Sequence, residues 1–150
     1  MTNEKGSAAR MTEHPHLRVK TDGAVRTLTL DNAERHNAQT PSLWAALAEQ
    51  ARAVPDEVRV VVLRGAGPSF SSGADTRLFT PAGVPGEERL ADLTAAGREP
   101  LLAAVARYQE AFTGWSRCSA VVVAQVHGAA VGAGLQLALA ADLRVLAEDA

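Results

Sequence analysis

Residues 120–146 read AVVVAQVHGAAVGAGLQLALAADLRVL, a stretch without charge until Asp142. Valines at 121, 122, 123 and 126 make a short β-branched run, too short for a stable helix and suited to a buried strand. Gly128, Gly132 and Gly134 break that run before Leu135, Leu137 and Leu139 resume an apolar pattern. The stretch therefore predicts strand, glycine turn, helix, and a second strand opening at Asp142. A glycine-rich turn lets a ligand approach the backbone closely. The first N–H groups of the helix then have no partners inside it and favour negative charge.

The rest of the chain repeats that alternation. Residues 17–20 and 25–30 alternate around Asp22-Gly23, which predicts a hairpin with a type I′ turn. Thr40-Pro41 reads as a helix cap followed by a first-turn proline, with Leu43, Leu47, Ala51 and Val54 on one face. Residues 58–63 form a second apolar run, expected to be a parallel strand covered on both faces. Residues 81–88 are rich in Pro and Gly and predict a surface loop. A helical region follows, interrupted near Gly97 and Pro100. Leu101, Val105, Tyr108, Phe112 and Trp115 make its apolar stripe, and Trp44 and Phe79 are also assigned to the core. Strands alternating with helices indicate an α/β fold with a parallel sheet.

The bulk numbers narrow the function. A chain of 150 residues with 47% hydrophobic content suits one domain with a real core. A net charge of −2 and scattered Lys and Arg argue against nucleic acid and against a polybasic membrane patch. No apolar run reaches the ~18 residues of a membrane span. The one cysteine, Cys118, excludes an internal disulfide framework and fits a cytoplasmic protein, with Cys118 itself a packed residue. No His and carboxylate cluster has metal-ligand spacing. A small molecule is the expected ligand. Residues 1–15 read as a disordered tail before a domain spanning residues 16–150.

Two glycine-bearing turns each follow a strand, at Gly73-Ala74-Asp75 and at Gly132-Ala133-Gly134. If the strands are neighbours, the N–H groups of Ala74 and Ala133 can converge on one oxygen as an oxyanion hole. A different reading is a Rossmann-type dinucleotide site at Gly132-Ala133-Gly134. It is weakened because Leu137 stands where the third glycine of that fingerprint belongs.

Taken together, Phe70-Ser71-Ser72-Gly73-Ala74-Asp75, the segment from Val126 to Leu135, and Leu139-Ala140-Ala141-Asp142-Leu143-Arg144 resemble the crotonase superfamily, the enoyl-CoA hydratase/isomerase family. Arg35-His36-Asn37-Ala38 and residues 58–67 fit in the same order. The resemblance implies a ClpP/crotonase-like spiral of ββα units and an acyl-CoA enzyme of fatty-acid or acyl-CoA metabolism. It implies no permanently bound cofactor, coenzyme A thioester as substrate or ligand, and assembly as a homotrimer or hexamer. By the same resemblance Ala74 and Ala133 supply the oxyanion-hole N–H groups. The backbone from Ser72 to Thr76 receives the adenine, Arg35 lies near the CoA phosphates, and residues 81–98 form a lid over the acyl pocket.

Two departures limit that implication. The hydratases' catalytic glutamate, three residues after the second donor, is here Gln136, which has no titratable group to act as a general base. The chain also reads as the N-terminal portion of the domain, with a second carboxylate and trimerising helices expected after Ala150. A non-catalytic acyl-CoA-binding homologue is therefore the alternative to an enzyme. His127 is expected to make a structural hydrogen bond, His36 to be exposed, and Asp142 to cap or pair locally.

Overall fold

The computed structural model describes residues 13–150, so residues 1–12 of the expected tail lie outside it. Five strands form one sheet in the order β1-β2-β3-β4-β5: Leu17–Asp22, Val25–Leu30, Val60–Gly65, Val121–Val126 and Leu143–Leu146. β1 and β2 are antiparallel and every later pairing is parallel. Because the spatial order never reverses among the described residues, their sheet has no topological switch point of the kind a Rossmann site occupies. The hairpin register pairs Asp22 with Val25, leaving Gly23-Ala24 as the loop. A type I′ turn needs positive φ at both loop residues, and here only Gly23 (φ 54°) has it. The predicted turn type is thus corrected: glycine at the first loop position alone is the pattern of a type II′ turn.

α1 spans Pro41–Arg52, with Thr40 in extended conformation before it and proline in its first turn. Thr40 makes no side-chain cap bond. Glu87, distant in sequence, does that work: its carboxylate accepts the Ser42 N–H at 2.9 Å and the Ser42 hydroxyl. A carboxylate there also complements the positive end of the helix dipole. At the other end the buried Arg26 of β2 donates to the Ala53 carbonyl at 2.8 Å. Leu43, Leu47 and Ala51 are buried as their spacing predicts.

α2 (Leu90–Ala96) and α3 (Arg98–Thr113) are separated by Gly97 at φ 108°. Pro100 does not break α3, because it sits in the first turn, where its missing N–H removes no helical bond. The stripe on α3 is shifted from the predicted one. Ala104 and Ala111 are fully buried while Val105 is 39% exposed, so the helix presents its small residues inward. Tyr108 and Phe112 pack on Trp44, with ring centroids 5.0 and 6.5 Å away. Phe79 is 70% exposed rather than in the core. It ends a 3₁₀ turn, Thr76–Phe79, in which only Leu78 points inward.

The core joins Leu28, Leu30, Leu43, Leu47, Val61, Leu63, Phe70, Val122, Ala124 and Leu137 in one cluster. Burial along β3 and β4 alternates. Val61, Leu63, Val122 and Ala124 are enclosed, whereas Val60, Val62 and Val123 are half-buried and Val121 is exposed. The expectation of strands covered on both faces is not met among the described residues, because the helices cover one face. No helix among them is long and apolar enough to cross a membrane.

After each of β2, β3 and β4 the chain makes a short bridging segment before its next helix, and these segments pair with one another. Gln39 pairs with Ala74 and Ser71 pairs with Ala130, both parallel. α4 (Ala133–Leu139) then leads to β5.

Candidate active site

Three loops meet where the bridging segments pair, and glycine permits their approach. A Cβ on Gly65 would stand 2.4 Å from the carbonyl oxygens of Ser69 and Phe70. One on Gly128 would stand 2.1 Å from the Pro68 oxygen. Neither position accepts a side chain without moving backbone. Asn37, buried at φ 55°, binds the same corner together: its amide donates to the carbonyls of Ala66, Ser69 and Phe70, and its oxygen accepts the Asn32 N–H. Asparagine tolerates the left-handed region better than most residues, and its amide has the donors this corner requires.

The two turns singled out in the sequence come together here. The Gly73 carbonyl accepts from Gln39 N–H and the Gln39 carbonyl accepts from Asp75 N–H, each at 2.8 Å. In a parallel bridge of this kind the N–H of the intervening residue, Ala74, faces away from Gln39. Gly73, at φ 92°, lies against the second turn: a Cβ there would be 2.5 Å from the Val131 oxygen and 3.2 Å from the Ala133 nitrogen. Ala133 opens α4, where its N–H has no helical acceptor. Among the described residues neither the Ala74 nor the Ala133 N–H donates to another group. Gly132, at φ 53° and ψ −119°, sets the angle at which the helix begins.

Asp75 is buried and holds two arginines. Arg77 meets its carboxylate at 2.7 Å and Arg35 at 3.3 Å, and its oxygen also accepts the Arg77 N–H. The Arg77 side-chain hydrogen bond is the foremost reason that the Asp75 pKa falls to about 2, with burial opposing it and the Arg35 charge assisting. Ser72, exposed, donates to the Arg35 carbonyl at 3.3 Å, and Thr76 is exposed beside it. Arg35, Ser72 and Thr76 thus share one rim around Asp75.

Gln136 lies one turn into α4, exposed, with no side-chain hydrogen bond among the described residues. His127 accepts the Phe70 N–H through its carbonyl and sets its ring 2.8 Å from the Gly67 oxygen. His36 is exposed but its ring meets the Ser69 hydroxyl at 2.9 Å. Asp142 accepts the Val122 N–H at 2.8 Å, joining the end of α4 to β4. The 81–98 segment is tied down by neighbouring carboxylates: Glu87 on α1, and Glu88 on Arg107 and Tyr108 of α3. Burial, and then the Glu88 contact, raise the Tyr108 pKa. Phe79 and Leu90 border a cleft of about 370 Å³ at the foot of this segment.

Sequence reasoning missed the polar groups behind the turns, namely Gln39, Ser71, Asp75 and Arg77. Asp75 and Ser71 sit inside the motif FSSGAD and were open to detection there. Gln39 carries no such signal, since only tertiary contact buries it.

Strand, bridging segment and helix recurring in this way define a crotonase-type α/β spiral. The chain belongs to the enoyl-CoA hydratase/isomerase family, whose model matches residues 20–150. It is 36% identical over 139 residues to EchA14 of Mycobacterium tuberculosis, described as a probable enoyl-CoA hydratase, covering 90% of this chain and 48% of that protein. The mitochondrial Delta(3,5)-Delta(2,4)-dienoyl-CoA isomerase of Mus musculus is 29% identical over 156 residues, covering 97% and 45%. Among solved structures, a Thermobifida fusca protein in complex with acetoacetyl-CoA superposes with a TM-score of 0.82 at 41% identity. That match covers 89% of this chain and 51% of the other. The same protein in complex with CoA gives a TM-score of 0.79. The chain spans about half the length of the curated relatives it matches.

Proposed function

We propose that the full-length protein is an acyl-CoA enzyme of the hydratase/isomerase type, in which the N–H groups of Ala74 and Ala133 hold the thioester oxygen. The observation that supports this reading is the Gly73 contact, which brings the turn carrying Ala74 against the turn carrying Ala133. As a proton leaves the α-carbon or a nucleophile adds to the β-carbon, negative charge builds on that oxygen. Fixed N–H dipoles aimed at it need no reorganisation, and each well-placed donor contributes roughly 3 kcal/mol to the transition state. The Arg35, Ser72 and Thr76 rim is the proposed seat of the CoA moiety, where Arg35 and Arg77 offer charge to phosphate while Asp75 keeps them in place. The complexes of the Thermobifida fusca protein with acetoacetyl-CoA and CoA support the ligand class. The reading extends to a cytoplasmic homotrimer or hexamer.

Gln136 orients a water or a substrate by hydrogen bonding, and a carboxylate outside these 150 residues moves the proton. The full-length protein is expected to turn over at least one of a panel of 2-enoyl-, 3-enoyl- and dienoyl-CoA thioesters. Saturable binding without any turnover would instead favour the non-catalytic homologue, the reading that Gln136 itself suggests. Gln136→Glu is expected to raise hydration of 2-enoyl-CoA when the second carboxylate is present. Intact binding with no gain would show that more than residue 136 separates this protein from a hydratase.

A further inference from the structure

We propose that Ser71 is a positioning residue that sets the separation of the two backbone donors; this rests on the oxyanion reading above. Ser71 is fully buried. Its hydroxyl accepts from Gly73 N–H at 3.2 Å and from the Gln39 side-chain amide at 3.0 Å, and donates to the Asn37 carbonyl at 2.8 Å. A hydroxyl has one proton and two lone pairs, so its capacity is filled and its rotor locked. Gly73 is consequently held at both ends, its N–H by Ser71 and its carbonyl by the Gln39 N–H. The next peptide is trans, so with the Gly73 carbonyl aimed at Gln39 the Ala74 N–H is aimed the opposite way.

The main chain of Ser71 grips the other turn. Its N–H donates to Ala129 at 2.9 Å and its carbonyl accepts from Val131 at 3.0 Å, two residues before the second donor. α4 rests directly on it: a Cβ on Gly134 would stand 2.4 Å from the Ser71 oxygen. One residue therefore controls the first donor through its side chain and the second through its backbone. Gln39 stiffens the arrangement from behind, its oxygen accepting from the Trp44 indole at 2.8 Å.

A buried serine that only satisfies its neighbours would affect stability alone, so the test reads the polarisation of the ligand. The full-length protein is saturated with a saturated acyl-CoA carrying ¹³C at the thioester carbonyl, and that stretch is followed by infrared difference spectroscopy. Binding to the wild type is expected to lower the frequency relative to the free thioester in water. Ser71→Ala is expected to lose at least about half of that shift and to slow turnover roughly 10-fold, short of the 10²–10³ expected for a lost donor. Affinity for CoA without an acyl group should stay within about twofold, since that rim is built on Asp75. Gln39→Leu leaves the Ser71–Gly73 bond in place and should keep most of the shift. A Ser71→Ala shift equal to the wild type's overturns the proposal. If Ser71→Ala does not fold, Ser71→Cys replaces it, its thiol being a weak acceptor, and a wild-type shift there is equally fatal. A wild-type protein that binds the thioester without any shift overturns the oxyanion reading itself, and the Ser71 proposal with it.

Discussion

Gly73→Ala concentrates the reasoning about this site into one methyl group. At φ 92° an L-residue is strained, which costs roughly 1–3 kcal/mol. The new Cβ would also stand 2.5 Å from the Val131 oxygen, a backbone atom that cannot swing aside, and overpacking of this kind costs a further 1–3 kcal/mol or so. The expected loss of stability is thus roughly 2–6 kcal/mol, a large share of the 5–15 or so that typical domains possess. Gly23→Ala is the control, because its φ is also positive and nothing lies within 4 Å of its Cβ; it should cost only the strain of about 1–2 kcal/mol. The Gly73 methyl would further stand 3.2 Å from the Ala133 nitrogen and crowd that donor. Turnover should then fall by ~10²–10³ in any folded fraction, while affinity for CoA alone is retained. Urea denaturation of the full-length protein, with calorimetric titration of acyl-CoA against CoA, measures both parts. A Gly73→Ala protein no less stable than Gly23→Ala, with acyl-CoA affinity and turnover unchanged, would refute the proposed apposition of the two turns.

Two other perturbations probe the scaffold behind the donors. Asp75 titrates at about 2 rather than 3.8 in the folded chain, so its contribution is complete above pH 4 and is lost as pH falls towards 2. Asp75→Asn should flatten the stability profile in that window, by at most about 2 kcal/mol because both guanidiniums are nearly half exposed; acid titration followed by circular dichroism tests this, and an unchanged slope counts against the ion pairs. Asn37→Ala leaves the carbonyls of Ala66, Ser69 and Phe70 short of a donor and puts alanine at φ 55°. Thermal denaturation should show a loss of about 3–5 kcal/mol, and a loss below about 1 kcal/mol would mean that water replaces the amide.

Much of this protein was open to reading from its residues alone. The β-branched runs at 58–63 and 121–126, the glycine hairpin at Gly23 and the proline at the start of α1 identify their elements, because φ preference and side-chain period are local properties. The motifs at Gly73-Ala74-Asp75 and Gly132-Ala133-Gly134 mark the turns for the same reason, since a positive φ at Gly73 and Gly132 is available cheaply only to glycine. Local rules failed where a partner from another segment decides the outcome. Thr40 lost the cap of α1 to Glu87, Val105 was exposed because Ala104 and Ala111 take the buried face of α3, and Phe79 turned outward at the end of its 3₁₀ turn. Only the tertiary structure brings Gly73 onto residues 131–133 and encloses Gln39, Ser71 and Asn37 in one bonded group. Burial is a property of the assembled chain: a glutamine or serine that any loop would carry in water becomes a constraint once three segments close over it and its hydrogen bonds have no solvent substitute.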